Sequence, residues 1–416
     1  MGYVGIPVAV TFAKNGFDVI GINRSKNKVE LINKGICPIE GDEPNLSAYL
    51  KEVVDSGKLK ATTDYSVIDE GDAILVAVQT PFKGNEPDYS SLKGAVSSIA
   101  NHLKRDQLVV IESTIAPGTI NGVVKPILEE ISGLKAGKDF MLGNCPERVM
   151  PGKLLYNIEN LDRVVGGIDK KTQDAMIDIY SKALKGKLYP TDCLTAEVVK
   201  TAENAYRDVE IAFANELALI CEKLDINVYE VRDLVNRSPY RNVHLPGAGV
   251  GGHCLPKDSL LLNYGVPGFN ADLMLLSRKI NDSMPYHVVD LVKELLNGVE
   301  DKKITVLGFA YLENSDDTRN TPSLPIVNEL VKLGANVIVH DPHVLSYDGV
   351  NITDDIESAI QDSSCVIVST AHKEYYGLGL DYLKGRMAEY NVVDGRNIFK
   401  RQELEKEGFN FSAVGK

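Results

Sequence analysis

Between residues 195 and 224 the chain carries neither proline nor glycine, and its apolar residues fall on one helical face. Val198, Ala202, Ala205, Val209, Phe213, Leu217 and Ile220 recur at three- and four-residue steps, the period of an amphipathic α-helix. Thr195 is the expected N-cap. Short apolar runs lie on both sides of this stretch, so the helix is expected to bridge two α/β bodies and to offer a surface for a second copy of the chain.

The runs before it read as strands of a parallel sheet: Asp18–Ile22, Ala73–Val78 and Leu108–Glu112, with Phe140–Gly143 and Arg163–Gly167 as continuations. Each is bounded by turns and separated from the next by a helical stretch. After the long helix the pattern repeats. Lys303–Phe309 runs into a glycine turn, Ser323–Leu333 is helical, and Asn336–Asp341, Cys365–Ser369 and Val392–Asp394 follow as strands. The fold class is therefore α/β: two doubly wound, Rossmann-like domains joined by a long central helix. The expected division is 1–190, 191–300 and 301–416, and 416 residues exceed what one core usually holds.

A formal net charge of −13 argues against a nucleic-acid surface. No apolar run is long enough to cross a bilayer, and no signal peptide is recognisable, so no membrane partner is expected. The six cysteines (Cys37, Cys145, Cys193, Cys221, Cys254 and Cys365) are scattered, without the paired spacing of a metal site. Reduced thiols in a cytoplasm are the expectation.

Two glycine-rich segments carry the chemistry. At the start, Gly2-Tyr3-Val4-Gly5 has the spacing of the last two glycines in a G-x-G-x-x-G turn, with a helix directly after it. Such a turn brings backbone amides to a dinucleotide pyrophosphate. The first strand and first glycine of that unit are missing, so the native chain is expected to start several residues upstream. At the end of the next strand, where an acidic residue usually binds the ribose, stand Asn23 and Arg24. The asparagine can bond a ribose hydroxyl, whereas the arginine suits a 2′-phosphate. The second segment is Gly247-Ala248-Gly249-Val250-Gly251-Gly252-His253-Cys254-Leu255-Pro256-Lys257-Asp258. Its glycines can let a ligand approach the backbone, and a thiol beside cations ionises more readily.

With Gln79-Thr80-Pro81, Glu112-Ser113-Thr114-Ile115-Ala116-Pro117-Gly118-Thr119, Asn144-Cys145-Pro146-Glu147-Arg148, Glu197–Ala205 and Asn314–Arg319, these segments form an ordered series. The series resembles the UDP-glucose/GDP-mannose dehydrogenase family, the nucleotide-sugar 6-dehydrogenases, over nearly the whole chain. Leu245–Cys254 is most similar to the branch acting on UDP-N-acetylmannosamine. The resemblance implies oxidation of the sugar's C6 alcohol to a carboxylate with two molecules of NAD, through a thiohemiacetal and a thioester on Cys254. It implies Lys200 and Asn204, one helical turn apart, as oxyanion donors, Asp258 as a proton carrier, Thr114 as a water ligand and Glu147 as base for hydrolysis. Cofactor contacts are implied at Gly2, Tyr3, Val4, Gly5, Asn23, Arg24, Thr80, Pro81, Ser113, Thr114 and Arg319. Substrate contacts are implied at Glu147, Arg148, Val149, Lys200, Asn204, Arg241, His244, Gly247, Gly249 and Gly251. The partner is a UDP-sugar, no metal is required, and the assembly is a homodimer or larger. Three features depart from the family pattern: the missing first strand, Asn23 in place of an acid, and Leu312 in place of a lysine. Alternatives are a UDP-N-acetylglucosamine or UDP-glucose dehydrogenase, or a non-catalytic nucleotide-sugar-binding homologue.

Overall fold

The computed structural model describes residues 1–39, 43–84, 86–150 and 152–416. The chain forms two compact units. One comprises residues 1–203 with 260–270, and the other 204–259 with 271–416.

In the first unit, β1 (Val19–Ile22) pairs in parallel with β2 (Leu59–Thr62) as a separate two-stranded sheet. A second sheet contains β3 (Ala73–Val76), β4 (Leu108–Ile111), β5 (Met141–Asn144), β6 (Arg163–Gly167) and β7 (Leu188–Asp192), in that order. The expected sheet was parallel throughout, but β6 runs antiparallel to β5. The segment between them contains only two turns of helix, Leu154–Asn160, whereas a 14-residue helix, Lys170–Ala183, joins the parallel pair β6 and β7.

Among the described residues β1 pairs only with β2, and β3 only with β4; β1 and β3 are partly exposed, whereas β4 is buried throughout. Helix α1 (Gly5–Lys14) lies over both edges, its Val8 and Phe12 joining a cluster with Val19, Ala73 and Leu75. The Met1 amino group donates to the Ile22 carbonyl at 3.1 Å, as a strand residue would, and its side chain covers Gly21.

Helix α2 (Cys193–Lys223) is the predicted long helix. Its cap is Asp192, not Thr195. The Asp192 carboxylate accepts from the Thr195 amide (2.9 Å) and hydroxyl (2.6 Å), which places Thr195 inside the first turn.

The second unit contains a six-stranded, fully parallel sheet. Its strands are β8 (Lys303–Leu307), β9 (Asn336–His340), β10 (Ile352–Thr353), β11 (Cys365–Val368), β12 (Asn391–Asp394) and β13 (Asn410–Ala413). The spatial order is β10-β9-β8-β11-β12-β13, the doubly wound arrangement with its switch point between β8 and β11. Its core packs on helix α4 (Asp272–Leu296) through Met284, Val288 and Val292. Among the described residues no helix is long and apolar enough to cross a membrane.

Candidate active site

In the second unit the thiol loop runs directly into helix α3 (Leu255–Tyr264). Cys254 is half-buried, and the first-turn amides of Lys257 and Asp258 bond back to its carbonyl at 3.1 and 2.9 Å. Asp258, fully buried, accepts from Asn204 Nδ2 (2.5 Å) and from Lys257 Nζ (2.6 Å). Asn204, Lys257, Asp258 and Cys254 thus form one connected group. The Lys257 cation is neutralised within it. His253 is pushed down to about 4 by burial, with Lys257 and Arg319 adding to the effect, so it is neutral at physiological pH.

The glycines of the loop serve the fold. A Cβ on Gly251 would meet Tyr311 Cβ at 2.5 Å and Asn320 O at 2.8 Å, and one on Gly247 would meet Arg396 Nη1 at 2.9 Å. Gly249 and Gly252 adopt φ of +133° and +90°, a region closed to most side chains. Tyr311, Arg396 and the segment at Asn320 thus approach the loop backbone closely. Arg319 is gripped by Asp317 (Nε–Oδ1 2.9 Å), while its carbonyl accepts from Gly252 N at 2.8 Å. His244 faces Glu210 (3.2 Å), and Arg241 is exposed.

A polar network missed at the sequence level anchors this loop. The Gly247 amide donates to Asn215 Oδ1 (3.0 Å), and Asn215 Nδ2 donates to Asn281 Oδ1 (2.9 Å). Asn281 Nδ2 donates to Asp208 Oδ1 (2.8 Å), which also receives Arg278 Nη1 (2.7 Å). Burial pushes the Asp208 carboxyl up, against the opposing pull of Arg278.

In the first unit, the strand ends carry Thr80, whose hydroxyl donates to Thr114 O (2.6 Å), and Ser113, whose hydroxyl receives the Val78 amide (2.8 Å). Glu197 of α2 fixes the following turn by accepting from the Gly118 and Ile120 amides at 2.6 and 2.7 Å. Lys200 lines a small depression with Pro146, Arg148 and Glu203. Arg148 is committed to Glu203 (Nε–Oε2 3.1 Å) and to the Asp162 carbonyl. Glu147 is buried, with Oε1 on Arg163 Nη2 at 2.7 Å, and Val149 packs in the neighbouring cluster. Pro81 follows Thr80 and is half-buried.

At the amino end, α1 starts without a side-chain cap. A Cβ at Gly2 would meet nothing within 4 Å, and one at Gly5 only Ala77 Cβ at 3.9 Å. This uncapped helix start, with Tyr3 and Val4 in the turn just before it, fits a dinucleotide phosphate. Asn23 is spent locally, accepting from Ser25 N at 2.9 Å and donating to Met1 O. Arg24 is exposed.

The fold and these residue sets define an oxidoreductase built on a dinucleotide-binding unit and a second nucleotide-binding sheet. The chain belongs to the UDP-glucose/GDP-mannose dehydrogenase family, and its cofactor is NAD. Residues 1–184 match that family's NAD-binding domain, 194–283 its central domain and 305–401 its UDP-binding domain. A UDP-N-acetyl-D-mannosamine dehydrogenase of Pyrococcus horikoshii is 37% identical over all of this chain and 98% of its own length. A solved structure of the UDP-D-ManNAc dehydrogenase of that organism aligns at TM-score 0.93 and 36% identity, covering 100% of this chain and 97% of that one. A structure of the NDP-N-acetyl-D-galactosaminuronic acid dehydrogenase of Methanosarcina mazei aligns at 0.92 and 42% identity, covering 100% and 94%.

Proposed function

We propose that the enzyme oxidises UDP-N-acetyl-D-mannosamine to UDP-N-acetyl-D-mannosaminuronic acid, in the cytoplasm and as a homodimer. The observation that carries the reading is the hydrogen-bonded group of Asn204, Asp258 and Lys257 at the start of the helix that Cys254 leads into. NAD, when bound, accepts one hydride in each of two oxidations. The chain's own residues do the rest. Cys254 Sγ adds to the C6 aldehyde, giving a thiohemiacetal, and its second oxidation leaves a thioester. Lys200 Nζ and Asn204 Nδ2 hold the C6 oxygen as it gains charge. Asp258, bound by Asn204 Nδ2 and Lys257 Nζ, receives the alcohol proton through water. Thr114 positions the hydrolytic water and Glu147 takes its proton, so that sugar acid leaves and the thiol returns.

The remaining contacts follow the family pattern. Gly2, Tyr3, Val4 and Gly5 would take the pyrophosphate of NAD, and Thr80, Pro81, Ser113 and Arg319 would serve the same cofactor. Arg148, Arg241 and His244 serve the UDP-sugar beside the loop of Gly247, Gly249 and Gly251. We read the chain as three parts, 1–190, 191–300 and 301–416. The dimer forms along α2, where Tyr206, Phe213 and Ile220, at seven-residue steps, are 65%, 56% and 50% exposed.

A second reading, a galacto-configured N-acetyl sugar as substrate, is favoured by the 42% identical NDP-N-acetyl-D-galactosaminuronic acid dehydrogenase of Methanosarcina mazei. Incubation with NAD and a panel of UDP-sugars separates the two. UDP-N-acetylmannosamine yielding two NADH per sugar supports the first reading. Turnover of the galacto epimer alone overturns it.

A further inference from the structure

Behind the Glu147 carboxylate lies a buried group that the reaction scheme above leaves unused. Arg163 of β6 is almost entirely enclosed, and it faces two carboxylates. Its Nη2 donates to Glu147 Oε1 at 2.7 Å, and its Nη1 stands 3.7 Å from Glu112 Oε1. Glu112 Oε1 also receives the Tyr180 hydroxyl at 2.7 Å, and the Glu147 amide donates to the Glu112 carbonyl at 3.2 Å. Among the described residues, Glu112 Oε2, Glu147 Oε2 and Arg163 Nη1 are buried without hydrogen-bond partners. Cys145 is the other titratable group against them.

Charge counting constrains this cluster. Two carboxylates and one guanidinium carry a net charge of −1 if all are ionised, and an uncompensated buried charge is costly. One proton therefore resides on a carboxylate. Glu147 has the short, charge-assisted bond to the arginine, whereas Glu112 has a longer ion pair and a neutral phenol. The proton belongs on Glu112.

We propose that Glu112 is a positioning residue for the hydrolytic step: by holding the cluster's proton it cedes Arg163 to Glu147, whose Oε2 no other described group holds. This rests on the reading of Glu147 as base. Burial, reinforced by Glu147 and opposed by Arg163 and Tyr180, moves the Glu112 carboxyl up to about 7. Above that pH Glu112 ionises, competes for Arg163 and adds negative charge beside a step that builds more. Glu112→Gln keeps the acceptor for Tyr180 and mimics the protonated acid.

The test uses full-length enzyme with NAD and UDP-N-acetylmannosamine, following acid formation from pH 6 to 8.5. The ratio of wild-type to Glu112→Gln rates should fall about threefold or more as pH rises through 7, with two NADH per sugar retained in both. A ratio independent of pH overturns the proposal. Infrared difference spectra give an independent reading: the wild type at pH 6 should show a protonated-carboxyl stretch that the variant lacks. A spectrum without that difference also refutes it. Failure of the underlying reading looks different, because Glu147→Gln would then form acid at the wild-type rate.

Discussion

Replacing Arg278 with methionine tests whether the buried network beneath the thiol loop is electrostatic in origin. Arg278 and Asp208 are both buried, and Nη1 meets Oδ1 at 2.7 Å. Methionine keeps the stem volume and removes the cation, leaving Asp208 with Asn281 as a neutral donor. Breaking one side of a buried pair costs about 3–5 kcal/mol. The cost carries a pH signature. Burial already holds the Asp208 carboxyl above its ordinary value against the pull of Arg278, so without the arginine it rises further. A carboxyl whose folded-state pKa lies above the unfolded one loses stability as pH climbs between those values, at about 1.4 kcal/mol per unit of difference. The deficit should therefore be largest near pH 8 and shrink toward pH 5. Urea unfolding across that range measures it. Adding Asp208→Asn should recover much of the loss, because both charges are then gone. A single variant that costs under about 1 kcal/mol, or whose deficit is flat with pH and unrelieved in the double variant, refutes the reasoning.

Joining five apolar β-branched residues ahead of Met1 should fill the open edges of β1 and β3, raise Tm by about 4 °C or more and tighten NAD binding. Unchanged calorimetry and titration would count against an accessible slot. Asp341 receives five hydrogen bonds, from the amides of Phe309, Ala310, His343 and Val344 and from His372 Nε2. Burial alone would raise its carboxyl, but these donors outweigh it and hold it down at about 2. A depressed carboxyl stabilises above its unfolded pKa and loses that stability as pH falls through about 2, so Asp341→Asn should cost about 2 kcal/mol at pH 7 and less near pH 2. Acid titration of both proteins checks this. Phe213→Glu should shift sedimentation from dimer to monomer, and an unmoved boundary would place the interface elsewhere.

Much of the sheet was legible because strands such as β4 and β11 are unbroken apolar runs buried on both faces. The reversal of β6 was not, since its apolar run reads the same in either direction and the short helix before it is weakly patterned. The cap of α2 was missed by three residues because Asp192 and Thr195 are both good caps, and only geometry chooses between them. Cys254, Asn204 and Asp258 were named from the order of motifs, and the structure joins Asn204 to Asp258 directly. The packing demand on the loop glycines was silent in the sequence: what approaches Gly251 is Tyr311, sixty residues on. Asn215, Asn281 and Arg278 gave no local signal, since each looks like an ordinary polar position on a helix until its partners, 66 to 73 residues away, are folded against it. Arg163 was equally silent inside what reads as a plain strand.

The account turns on a covalent bond between Cys254 and the sugar, and product stoichiometry tests it most directly. Wild-type enzyme with limiting UDP-N-acetylmannosamine and excess NAD should give two NADH and one sugar acid, with a nucleotide-sugar acyl adduct on Cys254 in rapidly quenched samples. Cys254→Ala should still bind the nucleotide-sugar while forming no acid. Acid formation by that variant at the wild-type rate would contradict the account.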